Sequence, residues 1–103
     1  MSKVMFSQPA EFDLISIDHY IQYTLLNPYS ARKVVDKIIE TAEKLSLFPE
    51  EHPLVSDIFL AELGFRITQY GNYNIFYIYE HQKDIVHIIR ILYNRADWND
   101  ILR

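Results

Sequence analysis

Three arginines and one tyrosine hold most of the chemistry this chain could do. Arg66, Arg90 and Arg95 fall in segments that read as β-sheet and at its exit, whereas lysines dominate the helical half. A fixed-charge cluster would therefore gather at the sheet end. Tyr93, two residues before Arg95 and at the end of a strand, offers a hydroxyl for acid–base work, although a tyrosine in that place more often packs. An ion-pair network competes with the catalytic reading, with Arg66 or Arg90 neutralising Asp97 or Asp100. The four histidines, His19, His52, His81 and His87, are not spaced as ligand pairs beside a carboxylate, so no metal is expected. Two glycines, Gly64 and Gly71, are too few for a phosphate-cradling loop, and both are explained by the sheet and its turn. The absence of cysteine removes disulfides, thiolate metal sites and Cys nucleophiles together. No cofactor is implied.

These residues must be positioned by a recognisable series of elements. "KVMFS" (Lys3 to Ser7) reads as a short strand. Ser7 is placed to cap, Pro9 suits a first helical turn, and Glu11 and Asp13 favour the positive end of the helix dipole. Leu14, Ile17, Ile21 and Leu25 then recur at helical spacing, predicting an amphipathic helix from Ala10 to about Leu26. Asn27-Pro28 ends it and starts another, whose stripe Ala31, Val34, Val35, Ile38, Ala42 and Leu45 runs to about Leu47. So short a connection predicts an antiparallel helix hairpin. "FPEEHPLVSD" (Phe48 to Asp57) is a loop, followed by the weak apolar segment "IFLAEL". "LGFRITQ" and "YNIFYIYE" are β-rich runs joined at Gly71-Asn72, both residues that tolerate positive φ. "EHQKD" (Glu80 to Asp84) turns into the strand "IVHIIRILY", and "NRADWNDILR" ends the chain as a short helix capped by Asn94. The order β-α-α-β-β-β-α predicts an α+β fold, a helix hairpin packed on an antiparallel sheet.

A turn at Gly71-Asn72 sets Tyr70 opposite Tyr73, Thr68 opposite Ile75 and Arg66 opposite Tyr77. One face then carries Phe65, Ile67, Phe76 and Ile78; the other carries Arg66, Thr68, Tyr70, Tyr73, Ile75, Tyr77 and Tyr79. The last strand alternates likewise, with Ile85, His87, Ile89 and Ile91 on one side and Val86, Ile88, Arg90 and Leu92 on the other. Strands apolar on both faces need cover on both. The helix hairpin is enough for one face. The second is left to the loop Phe48 to Leu60, to the C-terminal helix, or to another protein. A partner is the sharper reading, since contiguous apolar patches and exposed tyrosines mark interfaces. Base stacking on the tyrosines is a further possibility.

At 103 residues the chain is expected to form one domain, residues 1–103. Lys+Arg 10 against Asp+Glu 14 gives a net charge of -4, so the whole molecule repels phosphate backbones and any such contact needs a local patch. No signal peptide or apolar run of membrane-spanning length is visible. A cytoplasmic protein with no membrane partner is expected.

Together, the residues resemble the RelE/ParE superfamily of toxins from bacterial type II toxin–antitoxin modules. The resemblance lies in "FSQPAEFDLISIDHYI", in "SARKVVDKIIETAEKLSLFPEEHPLV" and in "FRITQYGNYNIFYIYEHQKDIVHIIRILYNRADW", whose order and spacing follow the family's pattern over nearly the whole chain. It implies a growth-inhibiting toxin, of the kind tied to plasmid stabilization, neutralised by a cognate antitoxin whose extended segment wraps helices and sheet. A heterotetramer with the antitoxin, or a homodimer, goes with that picture. Phe65, Ile67, Phe76, Ile78, Tyr73, Tyr77 and Trp98 are the partner-binding residues this predicts.

The resemblance also implies one of two activities, poisoning of DNA gyrase by binding (ParE type) or cleavage of mRNA on the ribosome (RelE type, an mRNA interferase). The ribonuclease pattern has Lys, Lys and Arg where this chain has Phe65, Ile67 and Asn74, and Tyr93 stands where many members have His. A nuclease here would rest on Arg95, Arg90, Tyr93 and Arg66, with His52 or Glu62 as bases. Cleavage through a 2′-hydroxyl needs proton transfers and cations for the phosphorane. The thinned set of cations favours the ParE branch, with the nuclease and a non-toxic antitoxin-binding relic as alternatives.

Overall fold

Ser7 joins two elements at once: its Oγ accepts the Ala10 N–H at 3.1 Å and donates to the Ile89 carbonyl at 2.7 Å. The hydroxyl both starts the first helix and ties it to the last strand, 82 residues away. In the computed structural model, which describes residues 1–103, the chain runs β1 (Lys3–Phe6), α1 (Gln8–His19), α2 (Pro28–Glu43), α3 (Ile58–Glu62), β2 (Phe65–Tyr70), β3 (Tyr73–Glu80), β4 (Ile85–Tyr93) and α4 (Trp98–Leu102). A π-helical turn, Tyr20–Thr24, extends α1, and a 3₁₀ turn, Lys44–Ser46, extends α2. Asn27 caps α2 as expected, its Oδ1 accepting the Ser30 N–H at 3.1 Å. The preceding Leu26 takes a left-handed φ of 54°, which reverses the chain between the helices.

The strands lie in the order β1-β4-β3-β2. β2, β3 and β4 are antiparallel neighbours, but β1 joins β4 in parallel, Lys3 beside Ile85 and Phe6 beside Ile88, so the sheet is mixed rather than wholly antiparallel. A parallel return requires a crossover, and here that crossover is nearly the entire chain. At the β2–β3 turn the pairing is Tyr70 with Tyr73, Thr68 with Ile75 and Arg66 with Tyr77, as the sequence predicts. Only Gly71 uses a positive φ, 55°, in the manner of a type II′ rather than a type I′ turn.

The helix hairpin covers the face bearing Ile75 and Tyr77, packing Ile17, Ile21, Ala31 and Ile38 against them and against Val86, Ile88 and Ile91. The opposite face has its own smaller core, in which Phe65, Phe76 and Leu92 meet Val55, Leu60, Trp98 and Leu102. The second cover is thus intramolecular, supplied by the loop, α3 and α4. The loop also runs along the outer strand: Val55 N–H donates to the Phe65 carbonyl at 3.0 Å and Ile67 N–H to the Pro53 carbonyl at 3.2 Å. These bonds satisfy part of an edge that would otherwise stand open.

The predicted alternation in β4 is corrected. A bulge opposite Phe76 and Tyr77 inserts Ile89 between the partners Ile88 and Arg90. Ile91 therefore joins Val86 and Ile88 in the helix-side core, while Ile89 stays with Leu92 on the other side.

Candidate functional site

The sheet does not bring the three arginines together. Arg66 lies on the outer strand β2 and Arg90 on β4, with β3 between them. The Arg66 guanidinium reaches back to the loop, donating to the His52 carbonyl at 2.7 Å and the Glu50 carbonyl at 3.4 Å, with Glu50 Oε2 at 3.5 Å. Arg90 instead forms a two-pronged pair with Asp13 of α1, both bonds at 2.7 Å. Asp13 also accepts the Ile91 N–H at 2.9 Å, just past the bulge. The side-chain bonds from Arg90 to the Asp13 carboxylate raise the hold on the Arg90 proton above the usual guanidinium range. The predicted pairing of Arg66 or Arg90 with Asp97 or Asp100 does not form. The ions that brace the tail are Arg103 and Asp57, 2.7 Å apart.

Arg95 is exposed in the turn after β4 and makes no ion pair, which leaves its charge free for a partner. Tyr93 stands apart from the other arginines. Its ring meets that of Tyr73 edge-on at 5.6 Å between centroids, beside the tip of the β2–β3 hairpin. Of the two suggested bases, Glu62 is exposed on α3, and the His52 carbonyl holds Arg66. His87 pairs with Glu80 at 2.9 Å and His81 with Glu50 at 3.3 Å.

The residues predicted to meet a partner divide by burial. Phe65, Phe76 and Tyr77 are buried in the folded chain, so as a ready-made surface that expectation is corrected. Tyr77 belongs to the helix-side core. Its hydroxyl has no hydrogen-bond partner, and burial pushes its pKa up to about 12. Ile67, Ile78, Tyr73 and Trp98 remain partly accessible. The Trp98 ring lies 5.2 Å from that of Phe76, centroid to centroid, and forms the lid over it.

Asn74 also changes character. Its side chain is buried on the tail-covered face and accepts from Gln69 Nε2 at 2.7 Å across the hairpin. Of the three positions at which the ribonuclease pattern is basic, Phe65 and Asn74 are buried, and Ile67 is half-buried against the cluster of Phe65, Phe76 and Leu92. Exposed apolar side chains lie elsewhere: Phe12, Ile15 and Tyr23 along the outer side of the first helix, and Phe48, Ile58 and Phe59 around α3. Two structurally important residues go beyond the sequence reading: Asp13, which the sequence places only at a helix dipole, pairs with Arg90, and Asp57, at the end of the loop, caps α3. Asp57 directly precedes an apolar run, which is a capping signal: its Oδ1 accepts the Leu60 N–H at 3.0 Å.

The chain is similar to a solved structure of the chromosomal ParDE toxin–antitoxin system of P. aeruginosa, with a TM-score of 0.71 and 23% identity over 90% of this chain and 96% of that one. It is also similar to the toxin–antitoxin complex RelBE2 of Mycobacterium tuberculosis, with a TM-score of 0.66 and 18% identity over 89% and 96% of the two chains. No curated protein matches the sequence. The family model of the ParE toxin of the type II toxin–antitoxin system parDE matches residues 4–98, and the chain belongs to that family. No helix is long and apolar enough to cross a membrane.

Proposed function

We propose that the chain inhibits growth by binding an essential target, DNA gyrase as in the ParE type, rather than by cutting RNA, and that a cognate antitoxin neutralises it. The observation that carries this reading is the state of the face where the ribonuclease pattern is basic. Phe65 and Asn74 are uncharged and buried there, and Ile67 is a half-buried apolar side chain against the same cluster. Phosphorane stabilisation needs cations held at the reacting phosphate, each worth about 3 kcal/mol by comparison with single electrostatic stabilisers. Arg90 and Arg66 are committed to Asp13 and to the loop carbonyls, which leaves Arg95 as the free charge near Tyr93.

The endoribonuclease reading keeps one specific support, the adjacency of exposed Arg95 to half-exposed Tyr93. In either case the antitoxin segment would find Ile67, Ile78 and Trp98 accessible on the sheet side, and would reach Phe65 and Phe76 only by lifting α4.

Controlled expression tests the toxin reading itself. Induction of this chain alone should arrest growth, and co-expression of the small gene beside it should restore growth. Normal growth at protein levels confirmed by blot would leave an antitoxin-binding relic in place of a toxin.

A further inference from the structure

Between the tip of the helix hairpin and the tip of the β2–β3 hairpin lies a cavity of about 810 Å³, which shares only Tyr73 and Tyr93 with the candidate residues discussed above. Its walls come from the end of α1 and the π-helical turn (Ser16, Tyr20, Ile21), from the start of α2 (Asn27, Ser30, Val34), and from Tyr70, Gly71, Asn72, Tyr73 and Tyr93 of the sheet. Four tyrosine rings therefore meet in one place, and no side chain lining it is charged. Tyr73 and Tyr93 stand nearly perpendicular, at 66°. The Tyr73 hydroxyl holds its proton more tightly than usual because it is partly buried and because the Tyr93 and Tyr20 phenols are close by.

The backbone on the helix side of the mouth is irregular. Tyr20 and Ile21 belong to a π-helical turn, and Leu26, just beyond it, holds a left-handed φ of 54° without being glycine. Such departures are frequent at binding sites. The volume is that of a small-molecule site. Flat π faces suit stacking, and the neutral polar groups Ser16, Ser30, Asn27 and Asn72 suit the hydrogen-bonding edge of a ring. Asn27 has already given its Oδ1 to the α2 cap, so its amide presents donors.

We infer that this cavity binds an uncharged, planar heteroaromatic molecule of the nucleobase or nucleoside class. Charge decides against the alternatives. A phosphate would enter a pocket lined by no Lys or Arg in a chain of net charge -4, and a cation would find ring faces but no carboxylate.

Adenosine, uridine, AMP and tetramethylammonium, titrated separately into the full-length chain and followed by amide chemical shifts, test the assignment. A nucleoside is expected to saturate, with shifts centred on Tyr20, Gly71 and Asn72, and AMP to bind more weakly. Ser16→Trp, a change at an exposed wall position, should block binding. Tyr20→Ala should weaken it about tenfold, the size of one base–aromatic stack. Because Tyr20 is half exposed, Tyr20→Ala leaves the fold intact even where a bulky residue at position 16 does not. Failure of every nucleoside to saturate, AMP binding as tightly as adenosine, tetramethylammonium saturating instead, or nucleoside binding unchanged in Tyr20→Ala would each overturn it.

Discussion

Arg90 and Asp13 hold each other through two bonds of 2.7 Å, Nε to Oδ2 and Nη2 to Oδ1, across 77 positions of sequence. The pair fastens α1 to β4 beside the bulge, where Asp13 also takes the Ile91 N–H. Its geometry needs the planar fork of arginine. Asp13→Ala should therefore cost about 2 kcal/mol in denaturant unfolding, the range of hydrogen bonds to charged groups. Arg90→Lys should recover little of what Arg90→Ala loses. A double-mutant cycle with no coupling between the two positions would contradict this account.

The contact of Trp98 with Phe76 predicts how the tail behaves. Trp98→Ala removes the ring that covers Phe76 and loosens α4, so unfolding free energy should fall by about 2 kcal/mol, less than for a fully buried tryptophan. Binding of a hydrophobic dye to the native state should rise at the same time. An unchanged denaturation midpoint would mean that α4 contributes no cover.

A separate prediction concerns acid. The Leu60 N–H, and after it the Arg103 guanidinium, hold the Asp57 carboxyl below its ordinary 3.8. A carboxylate with a depressed folded pKa stabilises fully above the unfolded value, and that contribution is lost as pH falls through the folded one. Asp57→Asn can still cap α3 but has no charge to titrate. Its stability should fall less steeply than that of the parent as pH drops through about 4 and below. Parallel curves would remove Asp57 from the acid response.

Asn74→Arg would restore one basic position of the ribonuclease pattern, and the structure predicts that it fails to restore a nuclease. The new charge would replace a buried amide bonded to Gln69, at a cost of about 2 kcal/mol, and would face apolar packing instead of RNA. Thermal unfolding together with cleavage assays on translating ribosomes would show this as a less stable protein with no gain in cutting.

What the sequence revealed and what it concealed differ in range. Ser7 and Asn27 announced both long helices because a cap and its helix are neighbours, and Gly71-Asn72 set the hairpin register for the same reason. The parallel pairing of β1 with β4 joins the two ends of the chain, and no local pattern encodes it. The bulge at Ile89 leaves no local signal because apolar residues occupy both faces of β4 on either side of it, so a slip in alternation exchanges one isoleucine for another. Asp13 looked like a helix-dipole acid because its partner is 77 residues away. The cover of the second sheet face was open among three candidates. Trp98, Leu102 and Leu60 decide it in favour of the chain itself, and two of the three ribonuclease positions, Phe65 and Asn74, are buried.

The central claim, inhibition by binding rather than by RNA cleavage, is tested most directly by mapping transcript ends and chromosomal breaks after induction, for the parent chain and for Arg95→Ala. The account predicts gyrase-linked DNA breaks and no new transcript ends. Codon-phased cuts in mRNA that vanish in Arg95→Ala would contradict it.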